Sequence, residues 1–361
     1  MTERRGSILT PDGWRKGSVT FDARIDRIEG ETTDAPSAPY ILPGFIDLHV
    51  HGGGGADMMD GADAIRRAAS LHAQHGTTAL LATSVTAPDG ETERFLEAVA
   101  SLASLDEPGR ARVLGAHLEG PFINPEKLGA QPPFAQPANL TLAKAWLALA
   151  PVRVMTYAPE EDPDDALRDF LLAEGVRLQI GHALCDYARA ARCIEAGCGV
   201  THLFNAMSGV SHRGNGIAGA ALATAEFAEI VPDLIHVEAG AILAARRAMP
   251  NLYGVTDATA GAGAPDGDYP LGSLTATKAD GAMRLPDGTL AGSALTMDQA
   301  LRNFVAIGLP LAEAAARLST IPADWLGETD IGRIAPNAKA DLVIMDDDLN
   351  VADVLIAGET V

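Results

Sequence analysis

The chain has 361 residues, 47% hydrophobic and 5% aromatic, ample for a large core and longer than one average domain. Asp+Glu total 48 against 27 Lys+Arg, and the net charge of -21 argues against sequence-independent binding of nucleic acid or anionic membrane, though not against a small anion in a locally basic pocket. The start carries Glu3, Arg4 and Arg5 rather than the apolar stretch of a secretory signal, no uncharged run is long enough to span a bilayer, and Cys185, Cys193 and Cys198 lack a Cys-x-x-Cys spacing, so the expectation is a soluble cytoplasmic protein with reduced thiols.

Residues 1–40 hold short β-like pieces, with a polar, proline-containing connection over 33–39. From residue 41 onward, β-branched apolar runs alternate with helix-patterned stretches, the mark of successive βα units. Strands are predicted at 41–51, 77–85, 112–120, 152–159, 176–183, 199–206, 230–237 and 252–258. Helices are predicted at 62–75, 92–105, 163–174, 187–196 and 241–249, with Gly76, Gly175 and Gly197 at helix ends and Asp186 as an N-cap. Eight such units suit a (β/α)8 TIM barrel over 41–334, and the Gly52–Gly55 run reads as a flexible βα loop because it lacks the Gly-Lys-Ser/Thr ending of a phosphate loop. Residues 1–40 and 335–361, which lack helical periodicity, are expected to form a small β-sandwich from both chain ends.

The predicted strands end on metal-ligand residue types. Leu48-His49-Val50-His51-Gly52 closes the first, and side-chain alternation puts His49 and His51 on one face with Asp47 below them. His117-Leu118-Glu119-Gly120-Pro121 repeats that spacing on the third, and His182, His202 and Asp257 end the fifth, sixth and eighth. In this barrel class the active site lies at the C-terminal strand ends, and imidazole with carboxylate is the donor set of a hydrolytic zinc or iron site. A lone histidine of this kind is usually a satisfied core residue; so many in order at strand ends point to one metal centre. Cys185 lies close to His182 but reads more simply as core filler.

These segments resemble the N-acetylglucosamine-6-phosphate deacetylases of the amidohydrolase superfamily. The likeness runs through Leu42-Pro43-Gly44-Phe45-Ile46-Asp47-Leu48-His49-Val50-His51, His117-Leu118-Glu119-Gly120-Pro121-Phe122-Ile123-Asn124, Thr201-His202-Leu203-Phe204-Asn205-Ala206-Met207, Thr256-Asp257-Ala258 and Ala291-Gly292-Ser293-Ala294-Leu295-Thr296-Met297. It implies Glu119, His182 and His202 as ligands of a principal divalent metal, zinc or else iron, and His49 and His51 as ligands of a second, so one or two ions per subunit. It implies Asp257 as the general acid/base of amide hydrolysis, in which the metal polarises the acetyl carbonyl and brings the pKa of water from ~15.7 towards ~7. Substrate contacts are implied for Ala130, Gln131, Asn205, Ala206, Arg213, His236, Leu290, Ala291 and Gly292, and a homodimer is implied. The chain departs from the family at Gln131, where a histidine is usual, at Gly214-Asn215, and at Leu234, where glycine is usual, all expected in or near the substrate pocket. The activity implied is therefore deacetylation of an amino sugar phosphate. The alternatives are an amidohydrolase for another or an unphosphorylated N-acyl substrate, disfavoured because 152–159 contains no bridging lysine, and a non-catalytic scaffold, disfavoured because every ligand is kept.

Overall fold

The computed structural model describes residues 1–103 and 105–361. Strands Phe45–Val50, Thr77–Ser84, Arg112–Glu119, Val152–Tyr157, Arg177–Ile180 and Gly199–Val200 pair in chain order as one continuous parallel sheet, and Phe227–Ile230 and Asn251–Gly254 form a separate parallel pair. Two seams join these pieces. Leu203 N–H donates to Glu229 O at 2.8 Å on one side; on the other, Asp257 N–H donates to His49 O at 2.9 Å and His51 N–H to Ala258 O at 2.8 Å. The expected eight-stranded barrel is thus a curled six-stranded sheet and a pair, not one closed ladder. All residues of Phe45–Val50 and Thr77–Ser84 are buried, as parallel strands covered on both faces require.

The helices lie between the strands much as their periodicity predicts. Ala62–Gln74, Ala166–Ala173, Tyr187–Glu195 and Ala239–Ala248 fall within a few residues of expectation. The helix predicted at 92–105 is Asp89–Ala100, and Ser104 within that span lies outside the described residues. Asp186 caps its helix by accepting Arg189 N–H at 2.8 Å. Gly76 has φ +87, and a Cβ there would stand 2.9 Å from the Phe45 ring, so both backbone and packing demand glycine. Among the described residues no helix is long and apolar enough to cross a membrane.

The chain ends build one seven-stranded sheet, ordered Glu359–Thr360, Val351–Ile356, Leu342–Met345, Tyr40–Pro43, Thr2–Thr10, Gly13–Phe21, Ile25–Thr32. It has its own apolar cluster, including Ile8, Val19, Phe21, Ile41, Leu342 and Leu355. The strand expected at 41–51 is in fact two, because Tyr40–Pro43 pairs within this terminal sheet and Phe45–Val50 only then enters the parallel one. Gly44 makes the step, and its missing side chain leaves room for Thr78. A further antiparallel sheet, Gly267–Leu271, Leu274–Ala279, Ala282–Arg284 and Leu290–Ser293, was not foreseen and packs its own small core of Val85, Leu271, Ala276, Met283 and Ala291. The Gly52–Gly55 run is not a loose loop. It starts a tight hairpin, Gly52–Gly53 with Ala56–Asp57, whose N–H groups are bonded to Ala258, Ala260 and Ala262.

Candidate metal centre and pocket

Glu119 closes its strand, while His182, His202 and Asp257 stand just beyond theirs, in turns rather than in the strands predicted to hold them. Their φ values are 48°, 26° and 49°, a region rare for residues other than glycine and costing of order 1–3 kcal/mol each. Such strain concentrates where a surrounding structure forces side chains into one geometry. Here it turns both rings and the carboxylate inward.

The principal group is tight. His182 Nε2 and His202 Nε2 lie 3.0 and 2.9 Å from Glu119 Oε1 and 3.1 Å from each other. His182 Nδ1 donates to Lys127 O at 2.9 Å, which fixes the ring proton there and leaves Nε2 as a lone pair facing the others. Buried lone pairs directed at one point repel unless a cation sits among them, so the donor set fits a divalent metal.

A second group shares the other carboxylate oxygen. His49 and His51 Nε2 lie 3.4 and 3.2 Å from Glu119 Oε2, 3.2 Å apart, and 3.7 and 3.3 Å from Asp257 Oδ1. The two rings therefore face the same way, as strand alternation predicts. Asp47 lies a layer deeper, accepting from Thr256 Oγ1 at 2.5 Å and from Thr256 N–H at 3.2 Å, and burial pushes its carboxyl up to about 7. His117 is also a layer down. Its nitrogens are taken by Leu48 O and Thr156 Oγ1, and burial next to His49 drives its pKa to about 3, so it is a neutral support rather than a ligand.

The electrostatics of the bare chain point the same way. Burial disfavours a charged imidazole at His49 and His51, yet the Glu119, Glu229 and Asp257 carboxylates outweigh it and raise both, His51 to about 9. Burial likewise works against the charged carboxylates, but the imidazoles, His49 foremost, hold Glu119 well below the usual range and Asp257 below it as well. The cluster demands positive charge at its centre. A divalent ion would supply that charge.

Above this cluster opens a cavity of about 500 Å³ lined by His51, Glu119, His182, His202 and Asp257. Of the residues expected to contact substrate, Ala130, Gln131, Asn205, Ala206, His236, Leu290 and Gly292 line it. Ala291 does not, because alternation along Leu290–Ser293 sends it into the small apolar cluster instead. Arg213 does not either; it lies in an exposed loop outside the cavity. Gly214 and Asn215 share that loop, and Leu234 lies outside the cavity with φ +65 and 37% exposure. The left-handed backbone at Leu234 is one that favours glycine.

Gln131 does touch the centre. Its Oε1 accepts Thr86 N–H at 2.6 Å, which directs its NH2 to Glu119 Oε2 at 2.5 Å. His236 donates from Nδ1 to Asp233 Oδ2 at 2.6 Å, and that carboxylate raises its pKa against the pull of burial. Three positions at the site were missed in the sequence. Lys127 and Arg284 line the cavity, Arg284 from the unforeseen sheet, and Glu229 lies buried behind His49. Only Glu229 left a trace, a carboxylate inside the apolar run Phe227–Ile230.

Comparison with known proteins agrees with this geometry. The amidohydrolase family profile matches residues 40–361. The N-acetylgalactosamine-6-phosphate deacetylase of Escherichia coli O157:H7 is 33% identical over 99% of this chain and 98% of its own length. The N-acetylglucosamine-6-phosphate deacetylase of Bacillus subtilis is 34% identical over 96% of this chain and 90% of its own. Among solved structures, a mutant N-acetyl-D-glucosamine-6-phosphate deacetylase from Mycobacterium smegmatis, in complex with N-acetyl-D-glucosamine-6-phosphate, superposes with a TM-score of 0.91 at 31% identity, covering 99% of this chain and 97% of that one.

Proposed function

The chain belongs to the amidohydrolase superfamily and, within it, to the N-acetylglucosamine-6-phosphate deacetylases, and on that premise we propose that it hydrolyses the acetamido bond of an N-acetylated amino sugar 6-phosphate. Water adds to the acetyl carbon, the C–N bond breaks, and acetate and the free amine leave. The substrate favoured is N-acetylglucosamine 6-phosphate, giving glucosamine 6-phosphate. The observation that carries the reading is the convergence of Glu119, His182 and His202 within 2.9–3.1 Å at the floor of the cavity.

Glu119, His182 and His202 would hold one divalent ion, and His49 and His51 a second that shares Glu119. When bound, such an ion, zinc by its nitrogen-rich donors, supplies Lewis acidity and brings water's pKa towards ~7. Asp257, its Oδ1 3.3 Å from His51 Nε2 and 3.7 Å from His49 Nε2, takes the attacking water's proton and passes it to the departing amine, a task suited to a carboxylate kept ionised by its neighbours. Asn205, the Ala206 backbone and His236 surround the sugar phosphate, with Lys127 and Arg284 as the cavity's long cations. Arg213, exposed outside its own cavity, is read as reaching the cavity of a second copy, which makes the working unit a homodimer. Three buried free cysteines fit a reducing cytoplasm.

Steady-state hydrolysis of N-acetylglucosamine 6-phosphate, its galactosamine epimer and the two unphosphorylated sugars tests this. Turnover should be fastest with a phosphorylated sugar. The epimer is kept as a second reading because the Escherichia coli relative named for it aligns over 98% of its length. No turnover of any of the four, beside turnover of an N-acyl amino acid, would overturn the assignment.

A further inference from the structure

We propose that Glu229 is a positioning residue that builds the second cation position by fixing His49 as its ligand; the inference rests on the deacetylase reading of the site. Glu229 is fully buried on Phe227–Ile230, the strand that meets the six-stranded sheet at a seam. Its Oε2 accepts from His49 Nδ1 at 2.9 Å and from the His202 backbone N–H at 3.2 Å. Its Oε1 accepts from Gln179 Nε2 at 3.0 Å and, more weakly, from Tyr253 Oη at 3.5 Å. A buried carboxylate with its donors this fully arranged is held for a purpose, since an unpaired charge would be costly.

That purpose is legible in the ring it touches. A proton held on Nδ1 leaves His49 Nε2 as a lone pair 3.2 Å from His51 Nε2 and 3.4 Å from Glu119 Oε2, at the second position. Among the described residues His51 has no partner at Nδ1, so within this pair it is Glu229 that dictates a tautomer. His117, edge-on to His49 with centroids 4.6 Å apart, has both nitrogens engaged elsewhere and contributes only packing. A carboxylate behind a ligating histidine is worth about 10–100-fold in metal affinity.

The test is zinc titration of chelator-stripped protein by calorimetry, with bound zinc counted by plasma mass spectrometry. Wild type should take up two ions. Glu229→Gln should keep the first and weaken the second about 10–100-fold. In a His49→Asn background, adding Glu229→Gln should change zinc binding no further, because the effect passes through the imidazole. Should Glu229→Gln prove insoluble, Gln179→Leu, which strips an amide donor from the same carboxylate, should weaken the second ion in the same direction. Equal weakening of both ions, no weakening, or a fully active wild type holding a single ion would overturn the inference while sparing the deacetylase reading. A wild type that binds no zinc and turns over no amino sugar would remove that reading itself.

Discussion

Asp257→Asn changes the chemistry of one atom and almost nothing around it. The backbone of residue 257 is held by its N–H to His49 O at 2.9 Å and by Ser293 N–H to its carbonyl at 2.7 Å, neither of which uses the side chain. Its φ of +49 suits asparagine as well as aspartate. The remaining amide oxygen can still accept from His51, which lies 3.3 Å from Oδ1 in the native residue. The substitution does remove one carboxylate charge from a buried network, so Tm is read beside kcat to separate a loss of stability from a loss of chemistry. What is lost is the ability to bind a proton. General acid–base catalysis contributes about 10²–10⁴ in rate, so kcat should fall by that factor, roughly 3–5 kcal/mol of barrier, while KM stays nearly constant. The assay is acetate release from N-acetylglucosamine 6-phosphate by protein whose zinc content matches wild type. A kcat within tenfold of wild type at equal zinc would refute the assignment of Asp257 as the proton carrier.

Stripping the protein with a chelator should abolish turnover and lower Tm, and adding zinc back should restore both; at a thousandfold excess over Kd the stabilisation is about 4 kcal/mol. Arg284→Met should raise KM for the phosphorylated sugar about 10–100-fold, the worth of a charged hydrogen bond, and leave the unphosphorylated sugar unaffected, which paired kinetics would show. Glu313 lies between Arg246 Nε at 2.6 Å and Arg317 Nη2 at 2.8 Å, and these guanidinium groups, Arg246 foremost, pull its carboxyl from 4.5 to about 2. A folded pKa below the unfolded one stabilises above about pH 4.5 and is lost as pH falls towards 2. The linkage ceiling is about 3 kcal/mol and solvent screening reduces it, so Glu313→Gln should cost roughly 1–2 kcal/mol at pH 7 and little near pH 2.5. Urea denaturation at both pH values checks this, and an equal loss at both would refute it.

The candidate ligands His49 and His51 were readable because their pattern is local. His49 and His51 lie two apart at a strand end, and the strand period alone places both rings on one side. His182, His202 and Asp257 were expected at strand ends, but the structure has them at positive φ just beyond, and no propensity announces a histidine in that backbone. That conformation is imposed by contacts from distant strands, such as Leu203 N–H to Glu229 O and Asp257 N–H to His49 O. Glu229 escaped for a related reason: a carboxylate in an apolar strand has no meaning until its partner, 180 positions away, is known. The same holds for Arg284, whose short strand reaches the cavity only because the sheet over 267–293 folds across it.

Tyr40–Pro43 lies between Thr2–Thr10 and Leu342–Met345, with Ile41 opposite Ile8 on one side and Ile344 on the other. A ribosome adding about 5–20 residues per second needs roughly 15–60 s to travel from the first of these partners to the last. For that interval the nascent hairpins of the amino-terminal half offer a bare, apolar strand edge, the usual template for aggregation. A deletion that removes Leu342–Met345 would prolong that exposure indefinitely, so recovery of folded protein should depend on a strand made long after the edge it covers.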